Sequence, residues 1–164
     1  MSPFLRSNYT IRFSDCDPFG HLNNARYVDY FLNAREDHLK THYDLDLAAF
    51  YRKGLGWVVM QHEIVYLRPA NMNEVVCIQT ALLDAGPDHL LLESVMFDEK
   101  IKQVKAVMQT RFVPVSLSTG KRESHSAEFM EFLVDKPIPG LEMIPSLSER
   151  SVYWQNEVKN LQTV

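Results

Sequence analysis

Apolar and polar residues alternate with a period of two over residues 8–14, where Tyr9, Ile11 and Phe13 share one side, and this predicts a first β-strand. From residue 24 to about residue 40 the period lengthens to that of a helix. Tyr27, Val28, Phe31, Leu32, Ala34 and Leu39 fall on one broad side, while Arg26, Asp29, Asn33, Glu36, Asp37 and Lys40 form a narrower polar stripe. A helix with so wide an apolar surface needs cover around most of its circumference, which a curled sheet supplies. Strand patterns follow at residues 57–67, 75–83, 90–97 and 104–113. The last alternates most regularly, with Val104, Ala106, Met108, Thr110 and Phe112 on one face. Turn-forming residues close the first three of these at Arg68-Pro69-Ala70-Asn71, Ala85-Gly86-Pro87-Asp88 and Asp98-Glu99-Lys100. Such short links join antiparallel neighbours, because parallel strands need long crossovers. The expected class is therefore α+β: one strand, one long helix, then four strands.

Past Pro114 the pattern changes. Ser118-Thr119-Gly120-Lys121 reads as a loop, residues 126–133 as a short helix, and Pro137, Pro139 and Pro145 as marks of an irregular connector. Ser146-Leu147-Ser148-Glu149 fits a capping box that opens a terminal helix reaching about residue 161. A single domain over 1–164 is expected, with a core at about 8–116 and a C-terminal extension at about 117–164. That extension has three candidate roles: covering the sheet, building a dimer contact, or capping a substrate tunnel.

Composition narrows the function classes. A net charge of −4 leaves no basic surplus to neutralise a phosphate backbone, so nucleic acid is not the expected partner. No apolar run approaches the roughly 18–20 residues of a membrane span, and no secretory h-region stands at the N-terminus, so a cytoplasmic location is expected. Cys16 and Cys77 have neither disulfide-framework nor metal-knuckle spacing. There is no Gly-x-Ser-x-Gly elbow and no phosphate loop. His38 and His42 lie one helical turn apart but lack the glutamate of a zincin motif, so no metal is expected.

The chemistry concentrates at Asp15-Cys16-Asp17-Pro18-Phe19-Gly20-His21-Leu22-Asn23-Asn24-Ala25-Arg26-Tyr27. This run puts acids, a tight turn and a polar cluster directly before the long helix. A helix start presents unpaired N–H groups and the positive end of the helix dipole. A carboxylate beside such donors can attack a carbonyl or activate a water while the donors hold the developing oxyanion. That is the equipment of an acyl-transfer hydrolase. The same residues also serve plain structure: Asp before Pro-x-Gly is ordinary turn chemistry, and Asn23 and Asn24 are natural N-caps.

The run resembles the hotdog-fold thioesterases of the 4-hydroxybenzoyl-CoA thioesterase type, whose Asp-x-Asp-x-x-Gly turn and helix-opening Tyr are matched by Asp15, Asp17, Gly20 and Tyr27. The stretch His21-Leu22-Asn23-Asn24-Ala25-Arg26-Tyr27 is similar to the long-chain acyl-CoA and plant acyl-carrier-protein branches. Phe19 stands where the plant branch has Asn, and Asn24 where another branch has His, so neither site is carried over intact. The resemblance implies a curved antiparallel five-stranded sheet wrapped around a long central helix. It implies hydrolysis of an acyl-CoA, or an acyl-carrier-protein thioester, to free acid and thiol, with no cofactor and no metal.

Site residues follow from the same match. Asp17 is the expected nucleophile or general base, and the Asn24 N–H the oxyanion donor. His21 would relay a proton or position water; Asn23 would hold the water or fix Asp17. Tyr27 occupies a matched position beside the substrate. Among strand cations, Arg68 and Arg111, with Lys102 and Lys105, are candidates for CoA phosphates. A homodimer or homotetramer, with the site between subunits, is implied. The alternatives are a non-catalytic acyl-binding or scaffold hotdog protein and a hotdog dehydratase, the latter disfavoured because its histidine and acid are spaced differently.

Overall fold

The structure is a computed structural model and describes residues 4–141 and 146–162. Five strands form one antiparallel sheet: β1 (Leu5–Thr10), β2 (Leu55–Tyr66), β3 (Val75–Gly86), β4 (His89–Asp98) and β5 (Val104–Ser116), in the order β1-β3-β4-β5-β2. The long helix α1 (Tyr27–Tyr43) lies against one face, followed by a six-residue helix α2 (Leu47–Arg52). After the sheet come α3 (Ala127–Leu133) and α4 (Leu147–Gln162).

Period-two alternation sorts the strands between two cores. Val76, Ile78, Met96, Ala106 and Met108 turn towards α1, where they bury Tyr27, Phe31 and Ala34. Cys77, Val95, Phe97 and Val107 turn the other way and pack under Leu147, Trp154 and Val158 of α4. Burial on both faces explains why β3 to β5 read as near-continuous apolar runs, which is unusual for an antiparallel sheet. The terminal helix therefore covers the sheet's second face, the first of the three roles considered for the extension. The expected N-cap bond forms: Ser146 Oγ accepts from Glu149 N–H at 3.2 Å, and its hydroxyl donates to Glu149 Oε2 at 2.6 Å. Pro145 lies outside the described residues.

Three details differ from the sequence expectation. The first strand ends at Thr10, and residues Phe13–Asp15 wind into a 3-10 turn that leaves Phe13 exposed. The turn follows because Ile11 exchanges backbone bonds with residues 73 and 74, which ends the ladder there. The helix α2 was not anticipated; six residues are too few to show a period, and its signal is the Asp46 carboxylate capping Ala48 N–H at 2.9 Å. Val104 belongs to the α4 side, unlike Ala106 and Met108, because the β4–β5 register shifts between Met96 and Phe97 and leaves Lys105 as an extra residue.

Candidate active site

The site is built by a loop folded back on itself. Asp17 N–H donates to His21 C=O at 2.8 Å, and Gly20 N–H donates to Asp17 C=O at 3.0 Å. The Asp17 carboxylate closes the turn: its Oδ1 accepts from the N–H groups of Phe19 at 2.9 Å and His21 at 3.2 Å. Gly20 takes φ +75°, which a side chain would strain. The loop is docked to the segment after β2 by Leu22 N–H to Ala70 C=O at 2.8 Å and Met72 N–H to Gly20 C=O at 2.9 Å.

Beyond the loop, Asn23 caps a 3-10 turn (Asn24–Arg26) that leads directly into α1; its Oδ1 accepts from Ala25 N–H at 3.0 Å. The Asn24 N–H is left at the open start of this turn, with no partner among the described residues. The carbonyl of its own peptide, Asn23 C=O, accepts from Arg26 N–H at 2.8 Å, and the next peptide is held by Tyr66 OH, which donates to Asn24 C=O at 2.8 Å. Tyr27, 2% exposed, stacks edge-on against Tyr66 at 5.1 Å and accepts from Ala70 N–H at 3.1 Å. Burial pushes its phenol above the ordinary range.

Asp17, His21, Asn24, Tyr27, Tyr66 and Arg68 line one open cavity of about 220 Å³. A carboxylate, an imidazole, helix-start donors and a guanidinium thus share a space large enough for a thioester group. Of the residues singled out in the sequence as catalytic or substrate-binding, Asn23, Arg111, Lys102 and Lys105 stand outside it. Asn23 turns its side chain back to cap the helix start, so it positions Asn24 rather than facing the cavity. Arg111 is six residues beyond Lys105 on β5, about 20 Å along the strand from the end where Arg68 is tied to the Lys105 carbonyl.

The second acid of the motif has a different task. Asp15 binds Arg26 Nη2 at 2.8 Å and accepts from Tyr30 OH at 2.9 Å, and the Arg26 bond holds its carboxyl below the usual range. It faces a separate hollow with Arg12 and Tyr30, so the two acids do not share a site. Cys16 donates to Arg12 C=O, and its thiol is pushed up by desolvation and by Asp15 and Asp17, the opposite of what a nucleophile needs. Lys105 is spent on Glu74 at 2.7 Å.

Tyr66 is the site residue that sequence reasoning missed. Its only signal was an aromatic at the end of a long strand, and its task depends on a partner 42 positions away.

Farther along α1, an apolar cavity of about 90 Å³ runs between α1, α2, α3 and the sheet, with Leu39, Leu47, Trp57, Leu90 and Phe129 in its wall. Arg35 also lines it, its guanidinium 4.5 Å over the Phe112 ring and its Nε buried with no hydrogen-bond partner among the described residues.

A five-stranded antiparallel sheet around one long helix, with the acidic turn at that helix's start, defines the hotdog fold. The chain belongs to the thioesterase-like superfamily, whose sequence model matches residues 11–133. It is similar to the long-chain acyl-CoA thioesterase FadM of Escherichia coli strain K12, with 27% identity over 129 residues, 79% of this chain and 96% of that protein. Among solved structures it is similar to the probable thioesterase YbaW of Escherichia coli, at 28% identity and a TM-score of 0.69, covering 79% of this chain and 96% of that one. A DHNA-CoA thioesterase from Staphylococcus aureus shares the fold at 17% identity and a TM-score of 0.72, over 79% of this chain and 85% of that one.

Proposed function

We propose that this chain hydrolyses acyl-CoA thioesters to a free carboxylic acid and CoA-SH. The observation that carries the reading is the meeting of Asp17 and the Asn24 helix start in one cavity. Asp17 Oδ1 is committed to two turn N–H groups, which fixes the carboxylate and leaves Oδ2 for chemistry. From there it attacks the thioester carbonyl carbon, or takes a proton from a water that does. The carbonyl oxygen gains negative charge as the nucleophile–carbon bond forms, and the Asn24 N–H with the helix dipole stabilises it until the C–S bond breaks. Where Asp17 itself attacks, a water then opens the resulting anhydride, releasing the free acid and restoring the carboxylate. The thiolate leaves readily because a thiol is a far stronger acid than an alcohol, and His21 is placed to supply its proton. Tyr66 and the Asn23 side chain fix the peptide after the donor, between Asn24 and Ala25, and so hold the start of the helix in place. Membership of the superfamily and the likeness to a long-chain acyl-CoA thioesterase support the substrate class.

The site is proposed to be completed by a second copy of the chain. β2 is an edge strand, and Val58, Val59 and Met60 are 39–50% exposed along it, apolar surface that a homo-oligomer would cover. Light scattering on the purified protein reads the mass directly. No helix among the described residues is long and apolar enough to cross a membrane.

One observation favours a second reading, a non-catalytic acyl-binding protein: the bonds made by Asp17 Oδ1 are also those of a purely structural turn. Thiol release from short, long and aromatic acyl-CoAs separates the two. Turnover of any class is the result expected. Saturable binding without release, from CoA and carrier-protein thioesters alike, would install the binding module instead.

A further inference from the structure

Arg68 lines two cavities at once. On one side it closes the space around Asp17 and Asn24; on the other it opens a groove with Lys102, Gln103, Gln155 and Lys159. Lys102 then continues into a third hollow beside Lys100 and Gln162 at the end of α4. Four cations therefore follow one another away from the site, on a chain whose net charge is −4, and among the described residues no carboxylate lines either of the outer two cavities.

The ordinary uses for these charges leave most of them unexplained. Lys159 lies in the last turn of α4 and complements the negative end of that helix, which needs only one cation. Asp98 is close in sequence, but its Oδ1 is occupied by the N–H groups of Lys102 at 2.7 Å and Gln103 at 2.6 Å. Neither Arg68 nor Lys102 forms an ion pair among the described residues, whereas neighbouring Lys105 is neutralised by Glu74. The wall is also fixed rather than loose: Gln162 Nε2 donates to Lys102 C=O at 2.9 Å, tying the end of α4 to the β4–β5 turn.

We propose that this groove binds the phosphates of the CoA nucleotide, and that α4 thereby takes part in selecting the substrate. The inference rests on the thioesterase reading above and deepens it. With the thioester at Asp17, the pantetheine arm passes Arg68. The diphosphate and 3′-phosphate then meet Lys102 and Lys159, with Gln103 and Gln155 as neutral hydrogen-bonding groups between them. A carrier-protein thioester has a single phosphate and no nucleotide, so it gains little from the outer cations. The chain should accordingly prefer CoA thioesters.

The test compares wild type with the Lys102→Gln/Lys159→Gln double variant on two substrates sharing one acyl group, its CoA thioester and its pantetheine thioester. The variant is expected to raise KM for acyl-CoA about tenfold or more, with kcat retained, from the loss of two charge-assisted contacts. Turnover of the phosphate-free thioester should match wild type, and the salt dependence of the acyl-CoA KM should flatten. Equal losses on both substrates, or no change on either, would overturn the proposal. Direct titration with adenosine 3′,5′-bisphosphate needs no turnover. Binding to wild type and tenfold weaker binding to the variant support the groove even if no thioester is hydrolysed; equal binding or none removes it. Unchanged thermal midpoints exclude misfolding.

Discussion

His38 stands on the buried face of α1 with 1% of its surface exposed, Nδ1 at 2.6 Å from Thr80 Oγ1 and Nε2 at 2.9 Å from Ser7 Oγ. Desolvation, with a smaller push from His42 and an opposing pull from Asp37, drives its pKa down to about 4. An unfolded histidine titrates near 6.5, so between these values the unfolded chain binds the extra proton and the folded one does not. Stability from this residue is complete above pH 6.5 and falls as pH drops towards 4, by about 3 kcal/mol across the window. Thermal midpoints measured from pH 7 to pH 4 should decline more steeply in wild type than in His38→Gln. Parallel curves would mean that His38 does not titrate in this way. The candidate-site residues were legible because they are nearly all local: Asp17, His21, Asn24 and Tyr27 fall within eleven positions, and capping rules place them without tertiary knowledge. Tyr66 and the pairing of Asp15 with Arg26 and Tyr30 were not, since each depends on a contact between distant or rewound segments. The stacking of Arg35 on Phe112 was not legible either, since it joins α1 to β5.

The strands were readable because two-faced burial keeps the period of two intact through β3, β4 and β5. Alternation failed where a bulge shifted the register and where a strand gave way to a 3-10 turn. Which face α4 would cover could not be read from α4 itself, and the answer lies in one buried network. Arg150 is fully buried and donates through Nε to Glu93 Oε2 at 2.5 Å and through Nη2 to Glu93 Oε1, which also accepts from Trp154 Nε1 at 2.7 Å. This charged pair attaches α4 to the middle of β4. Removing one partner strands the other in the core, so Arg150→Met should cost about 3–5 kcal/mol in urea unfolding. Replacing both, with Glu93→Leu beside Arg150→Met, should restore most of that loss, because two apolar side chains leave no buried charge. A single variant as stable as wild type, or a double as weak as the single, would contradict this account of how the helix is held.

The molecule as a whole divides its surfaces between tasks. One sheet face holds α1 and aims its start at the acidic turn; the other is closed by α4, whose far end carries the cations beside Arg68. The β2 edge is the surface proposed above for assembly. The function was legible from the sequence mainly through the motif before α1; of the cationic groove, Arg68 and Lys102 were singled out, whereas the share of α4 was not, since Gln155 and Lys159 lie more than fifty residues from Lys102. The proposed hydrolysis depends on one carboxylate acting as more than a turn residue. Asp17→Asn separates the two roles, because the amide oxygen still accepts from Phe19 and His21 N–H while the charge is gone. The decisive measurement is thiol release from the best acyl-CoA substrate by this variant beside wild type, with thermal midpoints taken on both. A fall in kcat/KM of about 10²–10⁴-fold at an unchanged midpoint is the predicted result. Turnover within a few-fold of wild type would contradict the account and return Asp17 to a structural role.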